Sequence, residues 1–308
     1  MTTDVPTPRV SVIVPTHNRA TLLTESLDSV LAQDVASLEL IVVDDGSTDD
    51  TPQLLAAYAD RLVALRQTNQ GVAAATMAGI YQAKSPLIAL HDSDDRMLSG
   101  RLQKQCDFLD ANPSVMAVAG NMVFEGNEQT NYLQSIGIEF DEHGEAIFER
   151  PYERVVARNF MANAASCFRR EAFLTAGGYD LSYRAVQDGE FWFRVARKWS
   201  LACLNHPCTW VRVHNGSLSQ STAALECKLR LYEREIASGD LRTPSIRALI
   251  IRRLRYLTRE YVRRCSQSGC SDNWRELARQ VARHVSLVDR LRLELGTRLP
   301  TGLVNWVC

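Results

Sequence analysis

The chain has 308 residues, 45% of them hydrophobic and 23% charged, and a formal net charge of −1. That balance excludes collagen-like, disordered and disulfide-framework proteins, and fits one large domain with an appendage, or two domains. The near-neutral total hides an asymmetry, since residues 1–219 carry 18 Lys/Arg against 27 Asp/Glu while residues 220–308 carry 17 against 9.

No run reaches the roughly 18 apolar residues that span a bilayer, and "MTTDVPTPRV" lacks the basic and apolar regions of a signal peptide. A cytoplasmic protein is expected. Its eight cysteines are then expected to be thiols. Cys203 and Cys208, like Cys265 and Cys270, lack the CxxC spacing and nearby histidines of a zinc site.

In chain order, "RVSVIVPT" reads as a buried strand, and "TLLTESLDSVLAQ" as a helix with Leu22, Leu23, Leu27, Val30 and Leu31 at helical spacing. "LELIVVDD" is a second strand; "STDDTPQLLAAYA" is a helix with Ser47, Thr48 or Asp49 as cap and Pro52 in its first turn. "LVALRQ", "VAAATMAGIYQAK" and "PLIALHD" continue as strand, helix and strand. This alternation predicts a parallel sheet covered on both faces. A helix around Ser99 to Asn112 and a strand "VMAVAGNMVF" follow. Residues 131–149 read as a hairpin turning at "DEHG", and "CFRREAFLTAGGYD" and "QDGEFWFRVARKW" as helices, the first closed by Gly177 and Gly178. From Thr222 the pattern is helical, with Ile246, Leu249, Ile250, Leu257 and Tyr261 on one apolar face and arginines around the rest.

In open α/β sheets, ligands bind beyond the carboxyl ends of the strands. Thr16 to Asn18, Asp44 with Asp45, and Asp92 to Asp95 all fall at such ends, so three polar clusters converge on one edge. For "HDSDD" the residues alone leave two readings open. One is a polar turn capping the next helix; the other is a divalent cation relieving carboxylates that otherwise raise one another's pKa.

"VSVIVPTHNRATLLTESLDSVLAQ", "LELIVVDDGSTDDT", "NQGVAAATMAGI", "LIALHDSDD", "AGGYD", "QDGEFWFRVA" and "VRVHNGSLS" occur in the order and spacing of a family 2 glycosyltransferase, and the resemblance covers roughly residues 9–219. It implies a GT-A fold: a mostly parallel central sheet flanked by helices, here with a C-terminal α-helical extension. The domains expected are a nucleotide-sugar-binding subdomain over 1–120, an acceptor and catalytic-base subdomain over 121–219, and a basic helical extension over 220–308.

The resemblance also implies residue roles. Asp94, second acid of a D-x-D pair, and His214 would hold Mn²⁺ or Mg²⁺, and Asp92 would reach the ribose or a metal-bound water. A hard cation held by one or two carboxylates, with phosphates completing its shell, suits a diphosphate leaving group. Thr16 and Asp45 would read the base, Asp45 accepting from an imide N–H; Asn18 and Asp44 would support the nucleotide. Asn69 and Gly71 open the third helix, whose bare N–H groups could face it. Asp188 would be the base that deprotonates the acceptor, with Asp95, Glu190 and Arg212 in support. Trp192, Phe191 and Gly79 read as packing residues.

Two positions depart from the family pattern. Ala75-Thr76-Met77 stands where Ala-Arg-Asn is usual, and Gln187 replaces the Glu before the base, which removes an anion beside Asp188. The expectation is an inverting, metal-dependent hexosyl- or N-acetylhexosaminyl-transferase. It would take a nucleotide-sugar, UDP before other carriers, and act on a glycan, lipid-linked or small-molecule acceptor. The alternatives are a non-catalytic nucleotide-sugar-binding scaffold and, last, a nucleotidyltransferase. The basic tail would form a helical bundle, a homodimer contact or a peripheral contact at the inner face of the membrane. Nucleic-acid binding is not expected.

Overall fold

A computed structural model describes residues 7–213, 221–238 and 243–268. They divide between two compact units, one of Met1–Leu181 with Gln187–Val213 and one of Ser182–Val186 with His214–Cys308.

In the first unit the described residues form a nine-stranded sheet. Strands β1 (Val10–Thr16), β2 (Leu38–Asp44), β3 (Val63–Arg66) and β4 (Leu87–Leu90) lie parallel in the order β3-β2-β1-β4. Helices α1 (Ala20–Leu31), α2 (Thr51–Ala57) and α3 (Val72–Gln82) make the crossovers. Val12, Ile13, Val14, Ile41, Val42 and Val43 are wholly buried, because side chains on both strand faces meet helices. Gly79 packs α3 onto the sheet: a Cβ there would lie 2.5 Å from Ile13 Cγ2.

Beyond β4 the sheet is mixed. β8 (Ser166–Arg169) runs antiparallel between β4 and β6 (Val115–Phe124), and β6 runs parallel to β9 (Ser200–Val211). The short strands β5 (Arg96–Met97) and β7 (Glu145–Phe148) add antiparallel to β9. Helix α4 (Arg101–Ala111) lies against β6, β8 and β9.

Two local expectations are corrected. The turn at Asp141–Gly144 forms, with Asp141 accepting from His143 N at 3.0 Å and Glu145 N at 2.8 Å. The arm before it is no strand: Tyr132–Ser135 coils into a short helix, α5, capped by Asn131, and β7 pairs with β9 instead. Leu133, fully buried, and its N–H bonded to Asn121 Oδ1 at 3.1 Å fix that choice against β6. Likewise Ser166–Arg169 is a strand, and the helix α7 (Arg170–Thr175) starts only after it. Pairing with both β4 and β6 overrides helical spacing there. Helices α6 (Tyr152–Ala157) and α8 (Gln187–Ala196) pack together, with Tyr152 edge-on to Phe193 at 6.2 Å.

In the second unit, α9 (Thr222–Ala237) packs against α10 (Pro244–Ser268). Ser221 caps α9 by accepting from Ala224 N at 3.1 Å. Ile246, Ile250, Leu254, Leu257 and Tyr261 form the buried stripe of α10, and Tyr261 donates to Glu226 at 2.6 Å. No helix among the described residues is long and apolar enough to cross a membrane.

Candidate active site

Strand register levels the carboxyl ends. Thr16 lies opposite Asp44, and Asp44 opposite Arg66. Thr16 is 3% exposed, and its Oγ1 has no hydrogen-bond partner among the described residues. Asp44 accepts from Ser47 N at 2.9 Å and lies 3.5 Å from Arg66 Nε.

Asp45 is occupied by its own loop. Its Oδ1 accepts from Gln67 Nε2 at 2.8 Å and Gln70 N at 2.9 Å, and its Oδ2 from Gly71 N at 2.7 Å. Asp45 thus engages the N–H groups of Gln70 and Gly71, just ahead of the first turn of α3. Gly46, at φ +76°, permits this approach, since a Cβ there would sit 2.8 Å from Asn69 N. Asn18 joins the loops after β1 and β2: its N–H donates to Ser47 Oγ at 2.9 Å and its Oδ1 accepts from Thr48 N at 2.8 Å. Asn69 reaches the exposed His17 ring at 3.2 Å.

The acid loop after β4 rests on a guanidinium. Arg101, wholly buried, donates to Leu90 O at 2.8 Å, Ala164 O at 2.6 Å, Thr209 Oγ1 at 2.9 Å and Ser166 O at 3.2 Å. Burial pushes the Asp92 carboxyl up to about 7, reinforced by Asp94 and Asp188 and opposed by Arg101. Asp95, 4% exposed, is pushed up to about 8 by burial and then by Asp92. It points inward and accepts from Arg212 N at 3.0 Å, tethering the end of β9 to the loop. Arg212 also donates to Asp94 O at 3.3 Å and Glu25 at 2.7 Å. Asp94 faces another cation, Arg19 Nη2, at 3.4 Å. His91 is fully buried, and burial followed by Arg101 pushes its ring down to about 3, so it is neutral at pH 7.

Asp188 stands in the first turn of α8, near enough to the acid loop to push up the Asp92 carboxyl. Glu190, two residues further on, pairs with Arg194 at 2.7 Å. Phe191 and Trp192 are wholly buried, as their reading as packing residues requires. The residue before α8, Val186, takes φ +60°, a conformation that β-branched side chains rarely adopt. Thr76 is buried and bonds back to Val72 O at 2.7 Å. His214 lies outside the described residues.

Sequence reasoning gave no role to Arg19, Arg101 or Arg194. Their signal is present only as an Arg beside each motif, and such residues are common on surfaces.

Two carboxylates crowded into one loop are a donor set that a hard divalent cation complements, and Asp92, whose carboxyl Asp94 helps to push up, fits one together with Asp94. Sites of this type need only one or two carboxylates, with substrate phosphates and water completing the shell. Among the described residues no group of three or more His, Cys, Asp or Glu is arranged to hold a metal.

Residues 11–174 match the model of glycosyl transferase family 2, over half of the chain. The chain belongs to that family. The matched stretch includes the acid loop and ends before Asp188. The chain is 27% identical over 212 residues to a Rickettsia felis glycosyltransferase, covering 68% of this chain but 34% of the relative, so it spans about a third of that relative's length. Among solved structures, S. aureus TarS 1–349 in complex with UDP-GlcNAc superposes with a TM-score of 0.69 at 18% identity, covering 97% of this chain and 90% of that one. Mannosyltransferase PcManGT from Pyrobaculum calidifontis, in complex with GDP-Man and Mn²⁺, gives 0.62 at 20% identity, covering 98% and 88%. The shared architecture is the GT-A fold, a sheet flanked by helices.

Proposed function

We propose that this glycosyltransferase is metal-dependent and inverting, and that it moves a hexosyl or N-acetylhexosaminyl group from a UDP-sugar to an acceptor hydroxyl in glycan, polysaccharide or glycolipid synthesis. The observation that carries this reading is that Asp188, at the start of α8, is near enough to push up the Asp92 carboxyl. This supports a site in which the acids of the leaving-group side meet a carboxylate able to take the acceptor's proton. Residues 1–120 then bind the donor and 121–219 the acceptor. Thr16 contributes a buried hydroxyl still lacking a partner among the described residues. Asp45 Oδ2 keeps a lone pair for an imide N–H beyond the bond from Gly71. A cation held by Asp94 and Asp92 would neutralise charge on the departing diphosphate. Arg19, beside Asp94, supplies the positive charge absent at Thr76. Asp188 takes the proton of the attacking hydroxyl. Peripheral contact with an anionic membrane surface is supported by Arg252, Tyr256 and Arg259, exposed along one face of α10.

Thermal unfolding with UDP, dTDP, GDP and CMP, each with and without Mn²⁺, tests the donor side. A ligand at 100 times its Kd adds about 2.7 kcal/mol. UDP should stabilise with metal only, and Asp94→Ala should remove the effect. Asp188→Asn should keep UDP binding and lose UDP release from a UDP-sugar with acceptor. Unchanged turnover in that variant would remove Asp188 from the reaction. UDP binding by a wild type that never turns over would favour a scaffold.

A further inference from the structure

Helix α1 turns polar side chains toward the backbone of residues 92–98. Ser26, wholly buried, donates to Asp92 O at 3.3 Å. One turn on, Ser29 Oγ accepts from Met97 N at 2.8 Å, and Gln33, just past the helix, donates to Leu98 O at 3.0 Å. Residues 26, 29 and 33 keep the three- and four-residue steps of one helix face.

Glu25 reaches the same loop through a guanidinium. Its Oε2 accepts from Arg212 Nη2 at 2.7 Å, and Arg212 Nε donates to Asp94 O at 3.3 Å. The backbone N–H of Arg212 holds Asp95 Oδ1 at 3.0 Å. Arg212 also lies over the Trp210 ring at 5.2 Å, and Arg96, opposite Trp210 in the β5–β9 pair, covers that ring at 4.1 Å. Arg96 Nη1 is 3.3 Å from the other oxygen of Glu25. One carboxylate thus orients two guanidiniums, and one of these carries its hold to the main chain of Asp94. The contacts from Ser26 and Arg212 act on the carbonyl oxygens of Asp92 and Asp94 and leave the acid groups themselves untouched.

We propose that Glu25 and Ser26 are positioning residues for the cation, fixing the backbone that carries Asp94 and Asp92, Ser26 directly and Glu25 through Arg212. This rests on the metal-dependent reading above. The Glu25 side chain is 49% exposed, and ion pairs so open to water add little to folding. Contacts that orient metal-binding side chains from behind, by contrast, commonly change metal affinity by about tenfold to a hundredfold.

The test titrates Mn²⁺ into wild type, Glu25→Ala, Glu25→Gln and Ser26→Ala with one equivalent of UDP, following protein-bound Mn²⁺ by its electron paramagnetic resonance signal. Both alanine variants should bind Mn²⁺ at least about tenfold more weakly. Metal-free Glu25→Ala should melt at the wild-type temperature. Glu25→Gln keeps an oxygen that accepts from Arg212, and should recover most of the affinity. Wild-type affinity in either alanine variant overturns that residue's role and leaves metal dependence standing. Equal losses for Glu25→Ala and Glu25→Gln, or a lower melting temperature for Glu25→Ala, overturn the role of Glu25 in favour of bulk charge or plain structure. A wild type with no bound Mn²⁺ signal overturns both readings.

Discussion

Arg101 donates to the carbonyl oxygen of Leu90 at 2.8 Å, two positions before Asp92. The same guanidinium binds oxygens of Ala164, Ser166 and Thr209, so one buried cation ties β4, β8 and β9 beneath the acid loop. Arg101→Met would leave these acceptors without a donor and the acids without their buried counter-charge. Removing one partner of such a buried network costs about 3–5 kcal/mol, to be read from urea unfolding. A variant as stable as wild type would show that the loop does not need this charge.

Asp92 is raised to about 7 by burial, Asp94 and Asp188, and Asp95 to about 8 by burial and then by Asp92. Folded protein therefore keeps protons that the unfolded chain, with carboxyl values of about 4, has already released. Their contribution to stability is full below the unfolded value and is lost as pH rises through the folded values. In chelator-treated protein the urea midpoint should fall between about pH 5 and about pH 8, and Asp92→Asn should flatten the decline. A midpoint independent of pH in wild type would contradict the crowding of these acids.

Arg19 lies 3.4 Å from Asp94 and is partly exposed at the loop after β1. If it serves the diphosphate in place of the absent Arg at Thr76, Arg19→Ala should weaken UDP binding about tenfold, the size of one charge-assisted contact. Uridine binding should not change. Equal losses for UDP and uridine would point to a damaged loop instead.

Glu190, buried beside Arg194, sets the guanidinium that holds the turn before Tyr179. Glu190→Ala should cost about 2 kcal/mol, as loss of hydrogen bonds to a charged group does. Calorimetric melting measures it, and a variant as stable as wild type would show that the turn does not need the pair.

Gly79→Ala should destabilise the protein by about 1–3 kcal/mol, the usual penalty of overpacking, because the new methyl meets Ile13 at 2.5 Å. Thermal unfolding measures it. A neutral result would mean that α3 can lift from the sheet without loss.

The sequence alone determined the alternation of β1 to β4 with three helices, since β-branched runs and helical spacing are local signals. With the strands parallel, it also determined that Thr16, Asp44 and the acid loop would share one edge. Tertiary structure decided the rest. Residues 166–169 became a strand because β4 and β6 offered partners on both sides, which spacing within the segment cannot reveal. Asp45 turned to the backbone of Gln70 and Gly71, and Asp188 came within influence of Asp92, through contacts between distant parts of the chain. Arg101, Arg194 and Tyr179 acquired their places in the same way. A side chain's partner across the fold depends on packing, and no pattern of neighbours in sequence encodes it.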